Sequence, residues 1–265
     1  MNSRVVKQGS FFLVDSHAHL CDTVFDHDRK EVLDRAVAKG VTHVVAVAET
    51  LEDGEKNLAL ARCFAAVLPA AGLFPTCLEP ARAEAVLAFI TAHQPELACI
   101  GEVGLDFWKV QGEAEREIQR HIFSLFIAAA QTHKLPLSIH SLSAGRSAVA
   151  MVLEQGGAPA VFHAFDGKYA TALPAVEAGC HFSIPPSLLR SRQKEKLVRN
   201  LPLSSLLIES DAPVLGPSPD RRNEPANCVL VIEAIAAIKG IAPQEVAEAV
   251  RENTRSVFGN RLPVL

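Results

Sequence analysis

Short apolar, β-branched runs alternate with longer amphipathic stretches along the whole chain, the pattern of parallel strands that are each followed by a covering helix. Eight runs read as strands: Phe12 to Asp15, Val41 to Val47, Val67 to Leu73, Ala98 to Gly101, Pro136 to Ile139, Ala160 to Phe162, Cys180 to Ile184 and Leu206 to Glu209. Between them, helical patterns fall at Arg29 to Lys39, Glu52 to Ala66, Arg82 to His93, Glu113 to Thr132, Ser147 to Gln155, Tyr169 to Ala178 and Arg192 to Asn200, with a helical C-terminus from Asn227. Gly40 and Gly179 stand where two of these helices stop. No Gly/Ser/Pro-rich linker, charge block or repeat interrupts the series, so residues 1–265 read as a single domain. Eight units at about 33 residues each match the allotment of an α/β (β/α)8 TIM barrel. An open doubly wound sheet is the alternative, but no strand leads into a Gly-rich dinucleotide or phosphate loop.

With 49% hydrophobic and 21% charged residues, the chain has ample material for a core, which excludes a disordered tail or a disulfide-held miniprotein. Its net charge of −4, from 26 basic and 30 acidic residues, offers a polyanion no overall attraction. Any nucleic-acid contact must therefore be local. Met1 to Leu13 lacks the apolar run of a signal peptide, and no stretch of about 18 apolar residues follows. The cysteines Cys21, Cys63, Cys77, Cys99, Cys180 and Cys228 form no C-x-x-C pair and read as reduced, packed thiols. A cytoplasmic protein is expected, without membrane association or an obligate protein partner.

The chemistry begins at Asp15-Ser16-His17-Ala18-His19, at the end of the first strand. Side chains two apart on a strand share a face, so His17 and His19 project together, with Asp15 one step below and placed to fix their tautomers. Four more ligand-type residues follow strands: Glu102, His140, His163 and Asp211, spaced by about three, one, one and two βα units. All six converge on one mouth of a barrel. The other histidines, His27, His43, His93, His121, His133 and His181, fall in helices or at strand starts and read as structural or solvated. Glu209, two residues before Asp211, shares its inward face and reads as a supporting carboxylate.

Four histidines and two carboxylates exceed the needs of one tetrahedral ion and suit two divalent cations bridged by Glu102. His17, His19 and Asp211 then serve the first, and His140 and His163 the second. Such a pair depresses the pKa of a shared water towards about 7 and clamps the attacking and leaving oxygens of a phosphodiester. Glu102 and Asp211 are accordingly the candidate catalytic residues, Asp211 as acceptor of the water's proton. Phosphate-suited groups lie on the same loops: Ser141, Ser143 and Arg146; Lys168; Ser187 and Arg190; Arg221, Arg222 and Asn223. Phe107 and Trp108 read either as packing or as a base-stacking ring.

In order, Val14-Asp15-Ser16-His17-Ala18-His19-Leu20, Ile100-Gly101-Glu102-Val103-Gly104-Leu105-Asp106-Phe107, Leu137-Ser138-Ile139-His140-Ser141, His163-Ala164-Phe165-Asp166-Gly167 and Leu207-Ile208-Glu209-Ser210-Asp211-Ala212-Pro213 resemble the TatD family. The likeness extends to Arg222-Asn223-Glu224-Pro225 and to Asn253-Thr254-Arg255-Ser256-Val257-Phe258. The resemblance implies a metal-dependent hydrolase of the amidohydrolase-type barrels, with DNases and 3′ to 5′ exonucleases among its members. DNA ends, with RNA ends a further option, would be the substrate. The family's ligands correspond to His17, His19, Glu102, His140, His163 and Asp211; the histidine-rich donor set itself admits zinc, while its carboxylates and a phosphate substrate suit magnesium or manganese. Asp106 joins Asp15 and Glu209 as a supporting carboxylate, and Arg146, Lys168, Arg222 and Ser141 are the expected phosphate contacts.

Ser141-Leu142-Ser143-Ala144-Gly145-Arg146 and Phe182-Ser183-Ile184-Pro185-Pro186-Ser187 look like a subgroup that also occurs in animals. One position departs from the family pattern: Gly72-Leu73-Phe74-Pro75 carries phenylalanine where the family usually has a histidine able to meet phosphate or shuttle a proton. Two alternatives stand beside the nuclease, a related barrel hydrolase acting on an amide, ester or acyl-tRNA bond and a non-enzymatic metal-binding partner protein.

Overall fold

The computed structural model describes residues 12–157 and 159–262, so segment 1–11 of the targeting reading lies outside the described residues. Eight parallel strands pair in chain order: β1 (Leu13–Ala18), β2 (Val41–Ala46), β3 (Val67–Ala71), β4 (Cys99–Gly104), β5 (Leu137–His140), β6 (Ala160–His163), β7 (His181–Ile184) and β8 (Leu206–Ile208). The covering helices are α1 (Arg29–Ala38), α2 (Leu51–Cys63), α3 (Pro80–His93), α4 (Glu113–His133), α5 (Gly145–Glu154), α6 (Tyr169–Glu177), α7 (Arg192–Asn200), α8 (Cys228–Lys239) and α9 (Pro243–Phe258). The fold is a nearly closed (β/α)8 barrel, as the alternating pattern predicts.

The seam between β8 and β1 is sealed largely through the residues that end these strands. Asp211 N–H donates to His17 O at 2.9 Å, and His19 N–H donates to Ala212 O at 2.8 Å. Beneath them Ser16 Oγ donates to Ile208 O at 2.9 Å, while the Asp15 carboxylate accepts from Ser210 N–H at 2.8 Å and from the Ser210 hydroxyl. Asp15 therefore spends its side chain on the seam and not on an imidazole, which corrects the expected tautomer-fixing role.

Two layers fill the structure. Val45 and Val47 on or just past β2, and Leu68 and Ala70 on β3, recur at the two-residue strand period and belong to one buried cluster with Val257, Phe258 and Leu262. The larger cluster, with Phe123, Phe126 and Ile127 of α4, lies between strands and helices. Strand boundaries differ from expectation where ladders run on. Glu102 N–H donates to Ala48 O at 2.9 Å, which carries β4 past the short β3, so Glu102 lies within its strand. The helical C-terminus divides at Gly240, whose left-handed φ of 69° caps α8.

The β4 backbone needs open space at Gly72, just after β3. A Cβ there would lie 2.5–2.6 Å from the backbone of Gly101 and Glu102. Gly72→Ala is expected to destabilise the fold by about 1–3 kcal/mol through overpacking, read as a lower denaturant midpoint.

Candidate metal centre

The upper ends of β1, β4, β5 and β6 and the turn after β8 bring all six predicted ligands into one ring. His17 Nε2 lies 3.7 Å from Glu102 Oε2 and 3.6 Å from Asp211 Oδ1. His19 Nε2 stands 3.5 Å and 3.4 Å from the same two oxygens. Donor atoms that bind one cation at about 2.0–2.2 Å lie about 3.3–3.6 Å apart in a tetrahedron, so these four fit a shared ion. Their hydrogen bonding agrees: His17 Nε2, Glu102 Oε2 and Asp211 Oδ1 are buried and have no hydrogen-bond partner. Buried polar atoms are rarely left unpaired, and three on one point mark a place for a cation.

The other Glu102 oxygen faces a second group. Oε1 is 2.7 Å from His140 Nδ1 and 2.8 Å from His163 Nε2, which are 3.3 Å from each other. His163 stacks on His17 with ring centroids 3.9 Å apart. Glu102 thus turns one oxygen to each half of the ring, at ligand spacing on the His17–His19 side and at hydrogen-bond distance on the His140–His163 side.

Charge and hydrogen bonding prepare these groups. Burial opposes ionisation of Glu102, but His163, His140 and His17 hold its carboxyl well below the ordinary range. Burial drives His17 down to about 4, so it stays neutral and able to ligate. Burial also opposes charge on His19 and His140, yet carboxylates prevail: Asp211 and Glu102 raise His19 to about 9, and Asp106 and Glu102 raise His140 to about 9. Orientation comes from a surrounding layer. His17 Nδ1 shares a 2.8 Å hydrogen bond with Ser138 Oγ on β5, and His140 Nε2 is 3.0 Å from Asp106 Oδ2. Glu209 accepts from Ala164 N–H at 2.9 Å and from the Ser183 hydroxyl, pinning the chain just after His163. Burial, then the nearby Asp211 charge, raise the Glu209 carboxyl well above its ordinary value.

The phosphate candidates separate. Arg146, in the first turn of α5, and Lys168, which caps α6, are exposed above β5 and β6. Ser141 is buried with its hydroxyl unpaired. Arg222 is committed elsewhere: its guanidinium forks onto Asp28 and donates to Val24 O at 2.7 Å, which removes it from the phosphate set. Asn223 is likewise structural, its amide donating to Ser210 O and Val214 O. Phe107 packs beneath Arg116, whereas Trp108 is 68% exposed and free to stack.

The sequence reading missed Ser138, Glu49 and Lys109. Glu49 Oε1 lies 3.8 Å from His19 Nδ1, and Lys109 lies over the Phe74 ring, which itself meets His140. Ser138 was legible in principle, because it precedes His140 by two on one strand. A cavity of about 380 Å³ opens beside His19 between Asp22, Glu49, Asp53 and Lys56. A larger one, about 470 Å³, lies at the opposite barrel end near Cys180 and His181, away from the ligands.

Removing Ser138 Oγ by Ser138→Ala should weaken metal affinity about 10–100-fold while leaving the fold intact, checked by competitive chelator titration. Because His19 and His140 hold protons up to about pH 9 in the apo-protein, a bound cation must expel them. Apparent metal affinity should therefore weaken steadily as pH falls below about 9, with proton release visible in buffer-dependent calorimetry.

The sequence model of the family described as TatD related DNase matches residues 14–259. Deoxyribonuclease TATDN3 of Homo sapiens is 41% identical over 258 residues, covering 93% of this chain and 94% of that protein. The 3′-5′ ssDNA/RNA exonuclease TatD of Salmonella typhimurium is 32% identical, covering 93% and 98%. Among solved structures, the TatD homologue YJJV of Escherichia coli superposes with a TM-score of 0.87 at 24% identity, over 96% of this chain and 100% of that one. A match of that extent, carried by sequence and reaching both strands of the barrel seam, places the chain in the TatD family of metal-dependent hydrolases.

Proposed function

We propose that the chain is a divalent-metal-dependent deoxyribonuclease that removes nucleotides from 3′ ends, acting as one barrel over residues 1–265. The observation that carries this reading is the convergence of three unpaired buried atoms, His17 Nε2, Glu102 Oε2 and Asp211 Oδ1, on one point. The names of the human and Salmonella relatives supply the substrate class. In this reading His17, His19 and Asp211 hold one cation, His140 and His163 hold another, and Glu102 contributes to both. These six residues would hold divalent cations, which when bound would supply a Lewis acid for phosphoryl oxygens and lower the pKa of an attacking water towards neutrality.

The protein's own groups do the rest. Asp211, kept ionised by His19, His163 and His17 against its burial, accepts the proton of the attacking water. Asp106 holds the His140 ring through Nε2, leaving Nδ1 towards the centre. Arg146 and Lys168 grip phosphates that approach over β5 and β6, and Ser141 has a hydroxyl to offer there. A barrel mouth admits a strand end more readily than a duplex interior, which favours single-stranded or frayed DNA, with RNA ends also accepted. Four imidazoles to two carboxylates favour zinc or manganese over magnesium. The six cysteines are free thiols, which suits the reducing cytoplasm. Among the described residues no single helix is long and apolar enough to cross a membrane.

The test is reconstitution of apo-protein with zinc, manganese or magnesium on end-labelled single- and double-stranded DNA and RNA, with free or blocked 3′ ends. Free single-stranded ends should be shortened stepwise and blocked ends spared. Asp211→Asn should lose at least about 100-fold in rate. Equal cleavage of blocked and free ends would overturn the exonuclease assignment, and turnover confined to acyl or amide substrates would overturn the nuclease itself.

A further inference from the structure

The residue that stands where the family usually has a histidine is a phenylalanine, yet the position is not without charge. Lys109, in the loop after β4, places its ammonium 4.9 Å from the centroid of the Phe74 ring. The same ring meets His140 edge-on, with centroids 5.0 Å apart at 63°. A lysine, an aromatic ring and a candidate metal ligand are thus in series above β3, β4 and β5.

Both partners are anchored. Lys109 N–H donates to Asp106 Oδ1 at 2.7 Å, and the other oxygen of that carboxylate meets His140. Phe74 N–H donates to Glu49 O at 2.9 Å. The buried Gln119 of α4 ties the two turns together, accepting from Asp106 N–H at 3.1 Å and donating to Pro75 O at 2.7 Å. The Lys109 charge is felt by Glu49 and Asp106, and among the described residues no carboxylate closes a salt bridge with it. An aromatic face holds a cation without neutralising it, whereas a carboxylate would cancel the charge a phosphate needs.

The field around the mouth points the same way. The cavity beside His19 is lined by Asp22, Glu49 and Asp53, and its one lysine, Lys56, is paired with Asp26 at 3.2 Å. The acids of that cavity repel a phosphate, while the exposed cations Lys109, Arg146 and Lys168 follow the neighbouring strands β4, β5 and β6 and attract one.

We propose that Lys109 is a phosphate-binding residue of this centre and that Phe74 is its positioning residue, an aromatic seat that sets a cation where the family pattern has an imidazole. The proposal deepens the nuclease reading and rests on it for the substrate class alone; phosphate binding is measured independently of turnover. The ligand chemistry is a phosphate monoester or diester oxygen, met by a point charge with three rotatable donors.

The experiment compares wild type with Lys109→Met, Lys109→Arg, Phe74→Leu and the Lys109→Met/Phe74→Leu double variant, all loaded with the same metal and checked for equal metal content. Inorganic phosphate binding is followed by calorimetry, and KM and kcat are measured on a short single-stranded DNA across salt concentrations. Lys109→Met should weaken phosphate binding about 10-fold, raise KM more than it lowers kcat, and reduce the salt slope by about one. Lys109→Arg should restore most of the loss. Phe74→Leu should weaken binding less, and the double variant should be no worse than Lys109→Met alone, since the ring acts through the lysine. If no form cleaves nucleic acid but phosphate binding follows this order, the Lys109 assignment stands and the nuclease reading falls. Unchanged phosphate affinity in Lys109→Met, additive losses in the double variant, or absence of phosphate binding in wild type would each overturn the assignment, whatever the DNA assay shows.

Discussion

An ionised carboxylate can sit in a protein interior only if opposite charge and proton donors surround it. Glu102 is 1% exposed, and the upper half of the molecule is arranged around that constraint. His140 and His163 take one of its oxygens, and His17 and His19 approach the other. Each histidine comes from a strand or strand end, so the barrel's cylindrical geometry is what delivers four imidazoles to one carboxylate. Gly72 belongs to the same requirement, because only a residue without a side chain lets the Glu102 backbone come so close.

Below the ring lies a second tier of acids in the opposite condition. Burial brings the Asp15 carboxyl up to about 7 and raises that of Glu209 well above its usual range. Both act on backbone: Asp15 grips Ser210, and Glu209 holds Ala164. The buried Lys194 adds a 2.8 Å bond to Ala164 O. The division is physical. Glu102 and Asp211, in the ring itself, are held ionised and available to cations, while Asp15 and Glu209 beneath are drawn towards the neutral form and fix the strand ends that carry the ligands.

Much of this was legible in the chain itself. Short apolar, β-branched runs such as Val41 to Val47 located the strands, and ligand-type residues at five strand ends located the centre. What escaped reading depended on contacts between distant residues. Asp15 sits beside two histidines in sequence, yet its partner Ser210 comes from the other end of the chain, so proximity suggested a role that the seam had claimed. Arg222 looked like a phosphate ligand because it follows Asp211, and only the three-dimensional position of Asp28 on the β1 side shows it to be occupied. Lys109 carried no local signal, since its seat is an aromatic residue on a different loop. The break at Gly240 was a matter of helix capping that the C-terminal apolar pattern concealed.

The bond from Ser210 N–H to Asp15 joins residues separated by 195 positions, and the same seam sets Asp211 against His17 and His19. Bringing such residues together closes a loop of 195 positions, and the entropy of that closure is lost before the seam contacts return any of it. During synthesis a ribosome-bound chain would expose the histidine pair long before Asp211 existed to complete the ring. The ring of six candidate ligands is therefore complete only when the first and last strands have met, and a fragment that stops before β8 lacks Asp211 altogether.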